Sequence, residues 1–227
     1  MAELDEVFRD VACAHLKEFV PGNECPDQYV ADLGQTPLTF DRQSTDEAPS
    51  AIAPVILILE SPHFLEYGDR ANPVPACGRT GEGIRHHLHR ALALLEGAAL
   101  DGRPLILANA IQYQCSLAGS EKPGIAPKFH RDGVFERMWN HTSNAARIHF
   151  GSRLKKYVGT HPPFSPSHLE GYVVINACTK GKLKRELRCM VEDEVRVALP
   201  CKSHVTVEHP CNWKPRTELR PWTYDAD

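Results

Sequence analysis

Three stretches of the chain run from apolar residues into polar ones: VILILESPHF (55–64), LILANAIQYQ (105–114) and HVTVEHP (204–210). A carboxylate and an imidazole can stabilise charge or move a proton, and an amide can donate and accept hydrogen bonds at one position. The polar residues at these ends are therefore candidate site residues, namely Glu60, Ser61, His63, Asn109, Gln112 and His209.

The elements that must position these residues are predicted to be strands of one parallel sheet. Short, β-rich apolar runs predict buried strands, here at 54–60, 104–110, 171–177 and 204–210. Helical spacing of apolar residues between these runs predicts βαβ units. In such a sheet ligands bind beyond the carboxyl ends of the strands, so we expect the candidate residues to share one crevice.

The expected fold is α/β, with a central four-stranded, mainly parallel sheet in a single domain spanning 1–227. Residues 1–53 are predicted to form an N-terminal helix (5–19) and then mostly loop, with a short helix possible near 27–33. Long loops at 61–83 and 112–133 are expected to be functional, because structureless loops of that length are uncommon in compact domains. The other predicted helices are 84–95, 134–150 and 183–195, and the segment predicted to be irregular is 151–169.

Composition argues against a membrane or secreted protein. The chain has 227 residues, of which 42% are apolar and 24% charged, which is ordinary globular usage. It contains no apolar run long enough to span a membrane. Its acidic, amphipathic start lacks the basic and apolar regions of a signal peptide. We expect a cytoplasmic monomer whose eight scattered cysteines are reduced.

Charge is unevenly distributed along the chain. The net charge is −3, yet TKGKLKRELR (179–188) and WKPRTELRPW (213–222) are basic. A basic face can supply contacts to DNA phosphates, although charge runs also form solvated helix faces. Trp213 is a candidate wedge or stacking residue, with packing against the sheet edge as the alternative. The candidate DNA-contacting residues are Arg79, Lys180, Lys182, Trp213, Lys214 and Arg216.

A zinc site near the last strand is the main alternative use of the histidines. Cys201, His204, His209 and Cys211 are four possible ligands within eleven residues. His204 and His209 are five residues apart, so on a strand their side chains point to opposite faces. We therefore expect no metal, and the sequence indicates no organic cofactor.

The same motifs, in the same order, resemble those of the uracil-DNA glycosylase superfamily. LESPHF is similar to its Gln/Glu–X–Pro signature, and LILANAIQYQ to the strand whose Asn reads the flipped base. VEHPCNW is similar to its His-Pro-Ser motif, with Cys211 in place of Ser, and PACGRTG to a Gly-containing stretch after the first motif. The resemblance covers residues 54–216 and implies a three-layer α/β/α fold that acts on DNA.

The resemblance implies that a DNA base is flipped and its N-glycosidic bond hydrolysed, leaving an abasic site. A carboxylate near the sugar stabilises its oxocarbenium-like character, and a histidine near the departing base stabilises negative charge. An amide can form paired hydrogen bonds with a pyrimidine edge. The implied catalytic residues are Glu60, Ser61, His63 and His209, and the implied base-binding residues are Asn109, Ala76, Gln112 and Gly78.

The chain departs from the superfamily pattern at three positions. Ser61 stands where uracil-specific members carry a water-activating Asp, so we expect Glu60, or a water held by Ser61 and His63, to replace it. His63 stands in place of a Tyr that closes the pocket, and Ala76 in place of a stacking Phe. Both replacements favour a wider pocket and a bulky substrate such as a 5-hydroxymethyl or glucosylated pyrimidine.

The resulting prediction is a DNA glycosylase that acts in repair or in defence against modified phage DNA. The missing Asp keeps a second hypothesis open, a non-catalytic DNA- or nucleotide-binding module with the same pocket. A third hypothesis is a base-modifying enzyme that uses the crevice for transfer rather than hydrolysis.

Overall fold

The computed structural model describes residues 2–12, 24–69, 71–95, 97–115, 132–165, 167–181, 186–199, 204–215 and 219. The helices in these residues are α1 (Ala2–Ala12), α2 (Gly78–Leu92), α3 (Gly133–Trp139), α4 (Ala145–Val158) and α5 (Leu187–Ala198). The strands are β1 (Gln28–Asp32), β2 (Gln43–Ser44), β3 (Val55–Leu59), β4 (Pro104–Asn109), β5 (Val173–Asn176) and β6 (His204–Thr206). None of the described helices has the length and apolar character needed to cross a membrane.

The protein has an α/β fold built on a mixed six-stranded sheet with the order β2-β1-β4-β3-β5-β6. Strands β4, β3, β5 and β6 are parallel, and β1 is antiparallel to both β4 and β2. The expectation of four strands is therefore corrected to six. The short helix expected near 27–33 is wrong, because this segment forms β1 and pairs with β4 across a register shift between Tyr29 and Ala31.

Strand β3 is buried on both faces, which explains its uninterrupted apolar sequence. All five of its residues are buried, and alternate side chains belong to two separate apolar clusters. Ile56 and Ile58 pack in the cluster that contains residues of α1, α3, α4 and α5. Val55, Leu57 and Leu59 pack in the cluster that contains residues of α2.

Helix boundaries differ from the predicted ones where loops were expected. Helix α2 begins at Gly78 rather than at residue 84. The single helix predicted at 134–150 is two helices, separated by a turn in which Asn144 adopts a φ of 56°. Helix α4 then continues to Val158, through part of the segment predicted to be irregular. Parts of the first and last predicted helices, 13–19 and 183–185, lie outside the described residues.

Helix α2 lies close against a short 3-10 helix, Pro210–Asn212, that follows β6. The close approach depends on Gly83, because a Cβ atom at that position would lie 2.1 Å from the carbonyl oxygen of Pro210. This contact fixes the segment that contains His209 against the rest of the fold.

We expect the Gly83→Ala variant to lose about 1–3 kcal/mol of unfolding free energy, because the added methyl group must displace backbone atoms. Urea denaturation measures this loss. Gly68→Ala is the matched control, since a Cβ there would meet only the Leu65 carbonyl oxygen at 3.6 Å. Equal stability of the two variants would contradict the close packing of α2 against the 3-10 helix.

Candidate functional site

The carboxyl edge of the parallel strands holds three of the predicted site residues. Glu60 directly follows β3, Asn109 ends β4, and His209 lies three residues beyond β6. Leu59 and Asn109 are register partners in the parallel pair β3–β4. We refer to Glu60, Asn109 and His209 as the strand-end site.

Glu60 and His209 form a half-buried ion pair. Nε2 of His209 lies 3.6 Å from Oε2 of Glu60, and the two side chains are 11% and 16% exposed. The same Oε2 accepts a hydrogen bond from the backbone N–H of Thr179 at 3.2 Å. Nδ1 of His209 accepts from the backbone N–H of Cys211 at 3.3 Å, so the ring caps the 3-10 helix and turns Nε2 toward Glu60.

The surroundings of His209 raise its pKa above the ordinary histidine value. Burial acts in the opposite direction, but the carboxylate of Glu60 outweighs it together with Cys211 and Glu66. Protonation of His209 would place a positive charge beside Glu60, at the edge where the strands end, and Nδ1 would then give up the hydrogen bond that it accepts from the Cys211 N–H. This pair can stabilise negative charge on a bound group and can exchange a proton with it.

Asn109 is fully buried, and neither Oδ1 nor Nδ2 of its side chain has a hydrogen-bond partner among the described residues. An unpaired buried amide costs about 1–3 kcal/mol, and most buried polar groups in proteins are paired. An amide left unpaired at the edge where ligands bind is therefore poised to pair with a ligand. Its one donor and one acceptor atom match a partner that offers both types of group.

The backbone around Asn109 is held by a cluster that the sequence analysis missed, consisting of Asp27, Gln112, Arg153 and Tyr157 (the Asp27 cluster). Asp27 is 5% exposed and forms an ion pair with Arg153. Its carboxylate also accepts from the Tyr157 hydroxyl at 2.7 Å and from Nε2 of Gln112 at 3.1 Å. The backbone N–H of Asn109 donates to the same carboxylate at 3.1 Å. In the sequence, Asp27 follows Pro26, and nothing in this local pattern indicates a partner that is distant along the chain.

A second buried carboxylate that the sequence analysis missed, Glu66, organises the loop after Glu60. Its oxygens accept from the backbone N–H groups of His63 at 3.2 Å and Ala76 at 2.7 Å. Burial raises the pKa of Glu66 to about 8, with a further contribution from the charge of Glu60, against the opposing effect of these hydrogen bonds. Glu66 thus joins the two ends of the loop.

Two of the other predicted residues, His63 and Gln112, have structural partners. His63 is half-buried, and its Nδ1 caps the 3-10 helix Phe64–Tyr67. Ser61 is half-buried, close to the buried thiol of Cys115. Gln112 donates its amide to Asp27, so its proposed contact with a base would first require that bond to break.

The structure also bears on Ala76 and Gly78, the two predicted base-binding residues before α2. Ala76 has a φ of 56° and is fully buried in the cluster that contains residues of α2, so its small size does not by itself widen a pocket. Gly78 is exposed, has a φ of 60° and begins α2.

The predicted DNA-contacting residues do not form one uniform group. Arg79 and Lys214 are exposed, whereas Lys180, also exposed, forms an ion pair with Glu186 at 2.9 Å. Trp213 is only 4% exposed, and its indole N–H donates to the carbonyl of Glu208 at 2.7 Å. The alternative of packing is therefore what the structure shows for Trp213, and the wedge role is corrected. Two further candidates, Lys182 and Arg216, lie outside the described residues.

Three cavities in the described part of the protein lie away from the strand-end site. Within the described part of the chain, no group of three or more His, Cys, Asp or Glu side chains could hold a metal ion, and Cys201 lies outside that part. Three cavities of about 640, 700 and 370 Å³ are lined by other residues, among them Leu88, Arg103 and Tyr157. These cavities therefore do not argue for or against a ligand at the strand ends.

No family model matches the chain, and searches of curated proteins and of solved structures gave no significant match. The function must therefore be argued from the site itself.

The raised pKa of Glu66 predicts a pH-dependent stability. Between the ordinary value of 4.5 and about 8, the folded protein holds a proton that the unfolded chain has lost. The free energy of unfolding therefore falls as the pH rises through this window, by a few kcal/mol in total. Urea denaturation between pH 5 and pH 8.5 measures the fall, and Glu66→Gln should show a flatter profile because its amide does not ionise.

His209, whose pKa is also raised, makes the free energy of unfolding fall with rising pH in the same direction. The test is therefore the difference between the wild-type and Glu66→Gln profiles rather than either profile alone. Glu47→Gln, which changes an exposed carboxylate, should retain the wild-type profile. Parallel profiles for wild type and Glu66→Gln would contradict the assignment of the buried proton to Glu66.

Proposed function

We propose that the protein is a DNA glycosylase that extrudes a base, binds it with Asn109 and hydrolyses its N-glycosidic bond. The single observation that supports this most is the buried, unpaired amide of Asn109 at the same sheet edge as the Glu60–His209 pair. A recognition group and an acid–base pair are the two components that base excision requires.

The proposed reaction uses each residue of the strand-end site once. The carboxylate of Glu60 stabilises the oxocarbenium-like sugar and orients a water molecule toward its anomeric carbon. As the C1′–N bond breaks, its electron pair leaves with the base, and His209 stabilises the resulting negative charge. The water oxygen bonds to C1′ and its proton passes to Glu60, which leaves an abasic site.

The contacts of Glu60 support its assignment in place of the missing Asp. Both the Thr179 N–H and the His209 ring contact Oε2, whereas Oε1 has no hydrogen-bond partner among the described residues and can orient water. Ser61 offers only a hydroxyl, which has no charge with which to stabilise a cation. We therefore assign the electrostatic role to Glu60 rather than to Ser61.

The remaining expectations belong to the same proposal. Buried clusters on both sides of β3 support the three-layer α/β/α arrangement of a glycosylase. The proposed substrate is a modified pyrimidine in DNA, such as a 5-hydroxymethyl or glucosylated base. The proposed enzyme is a cytoplasmic monomer that acts in DNA repair or in defence against phage. His63 in place of a pocket-closing Tyr is the residue that still favours a bulky base, since Ala76 is buried.

A non-catalytic DNA- or nucleotide-binding module is the second candidate. It is favoured by Ser61, which leaves this motif without the water-activating carboxylate, and by the hydrogen bond and the ion-pair contact that Oε2 of Glu60 already makes. Such a module would retain the Asn109 amide for recognition without turnover. A base-modifying enzyme would instead alter the base and leave no abasic site.

The first activity experiment is an abasic-site assay on single-stranded and duplex DNA containing uracil, hypoxanthine, or 5-hydroxymethyl and glucosylated pyrimidines. We expect cleavage of a bulky pyrimidine, and a fall in kcat/KM of about 10²–10³-fold in Glu60→Gln, Asn109→Ala and His209→Ala. Loss in Asn109→Ala should include a weaker discrimination among bases, because the amide reads the base edge.

Asn72→Ala is the matched control, because it removes an amide that is exposed and bonded to Asp69. Robust excision of uracil with no activity on larger pyrimidines would contradict the substrate class. Binding without abasic sites would favour the non-catalytic module, and an altered base without an abasic site would favour the modifying enzyme.

The exposed cations Arg79, at the start of α2, and Lys214, after the 3-10 helix, should contribute to DNA affinity through phosphate contacts. Arg79→Ala and Lys214→Ala are each expected to weaken binding across all sequences and to reduce the slope of log K against log salt by about one. Fluorescence anisotropy at several salt concentrations measures the slope. Lys156→Ala removes an exposed cation on α4 that is paired with Asp46, and it should leave the salt-dependence slope unchanged. Equal effects in all three variants would contradict a localised DNA surface.

A further inference from the structure

We propose that Asp27 and Arg153 are positioning residues that aim the Asn109 amide at the base. The proposal rests on the glycosylase function above and extends it to residues that touch neither base nor sugar. It follows from the contacts that join this buried ion pair to the backbone on both sides of the Asn109 side chain.

The pair holds both polar backbone groups of Asn109. Oδ1 of Asp27 accepts from the Asn109 N–H at 3.1 Å, and one terminal nitrogen of Arg153 donates to the Asn109 carbonyl at 2.7 Å. The same nitrogen donates to the carbonyl of Ala110 at 3.1 Å. The peptide units before and after the Asn109 Cα are thus both fixed, although its side chain bonds to no described residue.

Such anchoring is what an unpaired recognition amide requires. A side chain without partners is oriented by its backbone and by packing alone, so any rotation of the backbone moves both hydrogen-bonding atoms. Displacements of an ångström in a reacting geometry can reduce a rate about a hundredfold. Fixing the backbone in the free protein also lowers the entropy that base binding would otherwise cost.

Arginine is suited to this position because its guanidinium group is planar and has several donors. One terminal nitrogen of Arg153 pairs with Asp27 while the other serves two carbonyl oxygens. The ammonium group of lysine is a single point and cannot match this geometry. Tyr157 and Gln112 hold the Asp27 carboxylate from its other sides, so the acceptor itself is fixed.

The chain offers a matched control for a purely structural role. Glu192 is a buried carboxylate, 2% exposed, that pairs with Arg196 at 3.3 Å on α5. It also accepts from Asn176 and Thr206, at the ends of β5 and β6. The side chain of Arg196 is 41% exposed, so a change there disturbs the ion pair of a buried carboxylate at strand ends without contacting Asn109.

The first test is NMR of the side-chain amide of Asn109 in the full chain, with its signals assigned as those lost in Asn109→Ala. We expect Arg153→Lys to shift or broaden these signals and Arg196→Lys to leave them in place. Asp27→Asn is the second variant, for use if Arg153→Lys does not fold. Unchanged Asn109 signals in either folded variant would overturn the proposal.

The second test is a double-mutant cycle on the activity assay or, without turnover, on DNA affinity. Arg153→Lys should lower kcat/KM by about ten- to a hundredfold in the wild-type background but less than about threefold in Asn109→Ala, because the residue acts through that amide. It should also reduce discrimination among the bases. Additive losses, equal to those of Arg196→Lys, would overturn the positioning role.

The two tests separate this proposal from the proposed function. A wild-type protein that neither cleaves nor binds any of the DNA substrates would contradict the glycosylase assignment, and with it the base as the ligand of Asn109. The NMR comparison would still decide whether Arg153 fixes the amide. Activity together with additive losses would retain the function and reject the positioning role.

Discussion

The buried ion pair between Asp27 and Arg153 is the interaction on which the candidate site depends. It joins the start of β1, the middle of α4 and the end of β4, which are distant in sequence. Removing one partner of such a pair typically costs about 3–5 kcal/mol, whereas an apolar replacement of both is often neutral. The pair is therefore better explained by the geometry it imposes on β4 than by a net gain in stability.

Sequence patterns predicted the four parallel strands and missed the two antiparallel ones for one physical reason. The parallel strands are covered on both faces, so their sequences are continuous apolar runs such as VILIL at 55–59. Strand β1 has the sequence QYVAD, and β2 has two residues, Gln43 and Ser44. Neither strand therefore shows a continuous or alternating apolar pattern from which it could be predicted. Their conformation is set by pairing with β4 and with each other, which is non-local information.

The candidate site, like the sheet, was predictable only where local sequence patterns define it. Glu60, Asn109 and His209 follow strands, and the fold rule for strand ends places them at one edge. Asp27 and Glu66 were not predictable, because Asp27 meets a partner 126 residues away and Glu66 bonds to backbone groups that only the folded loop presents. The aromatic character of Trp213 suggested DNA stacking, but a buried indole with a bonded N–H has the same sequence signature.

Two of the buried carboxylates, Asp27 and Glu66, show how environment divides roles among like groups. Asp27 faces a guanidinium group, which compensates a negative charge, whereas Glu66 faces only backbone N–H groups and has its pKa raised to about 8. Burial favours the neutral form of Glu66 below about pH 8, which limits a second negative charge beside Glu60. The Glu60–His209 pair is then the main charged feature of the strand-end site, and a pH rise that ionises Glu66 would add repulsion between the two carboxylates.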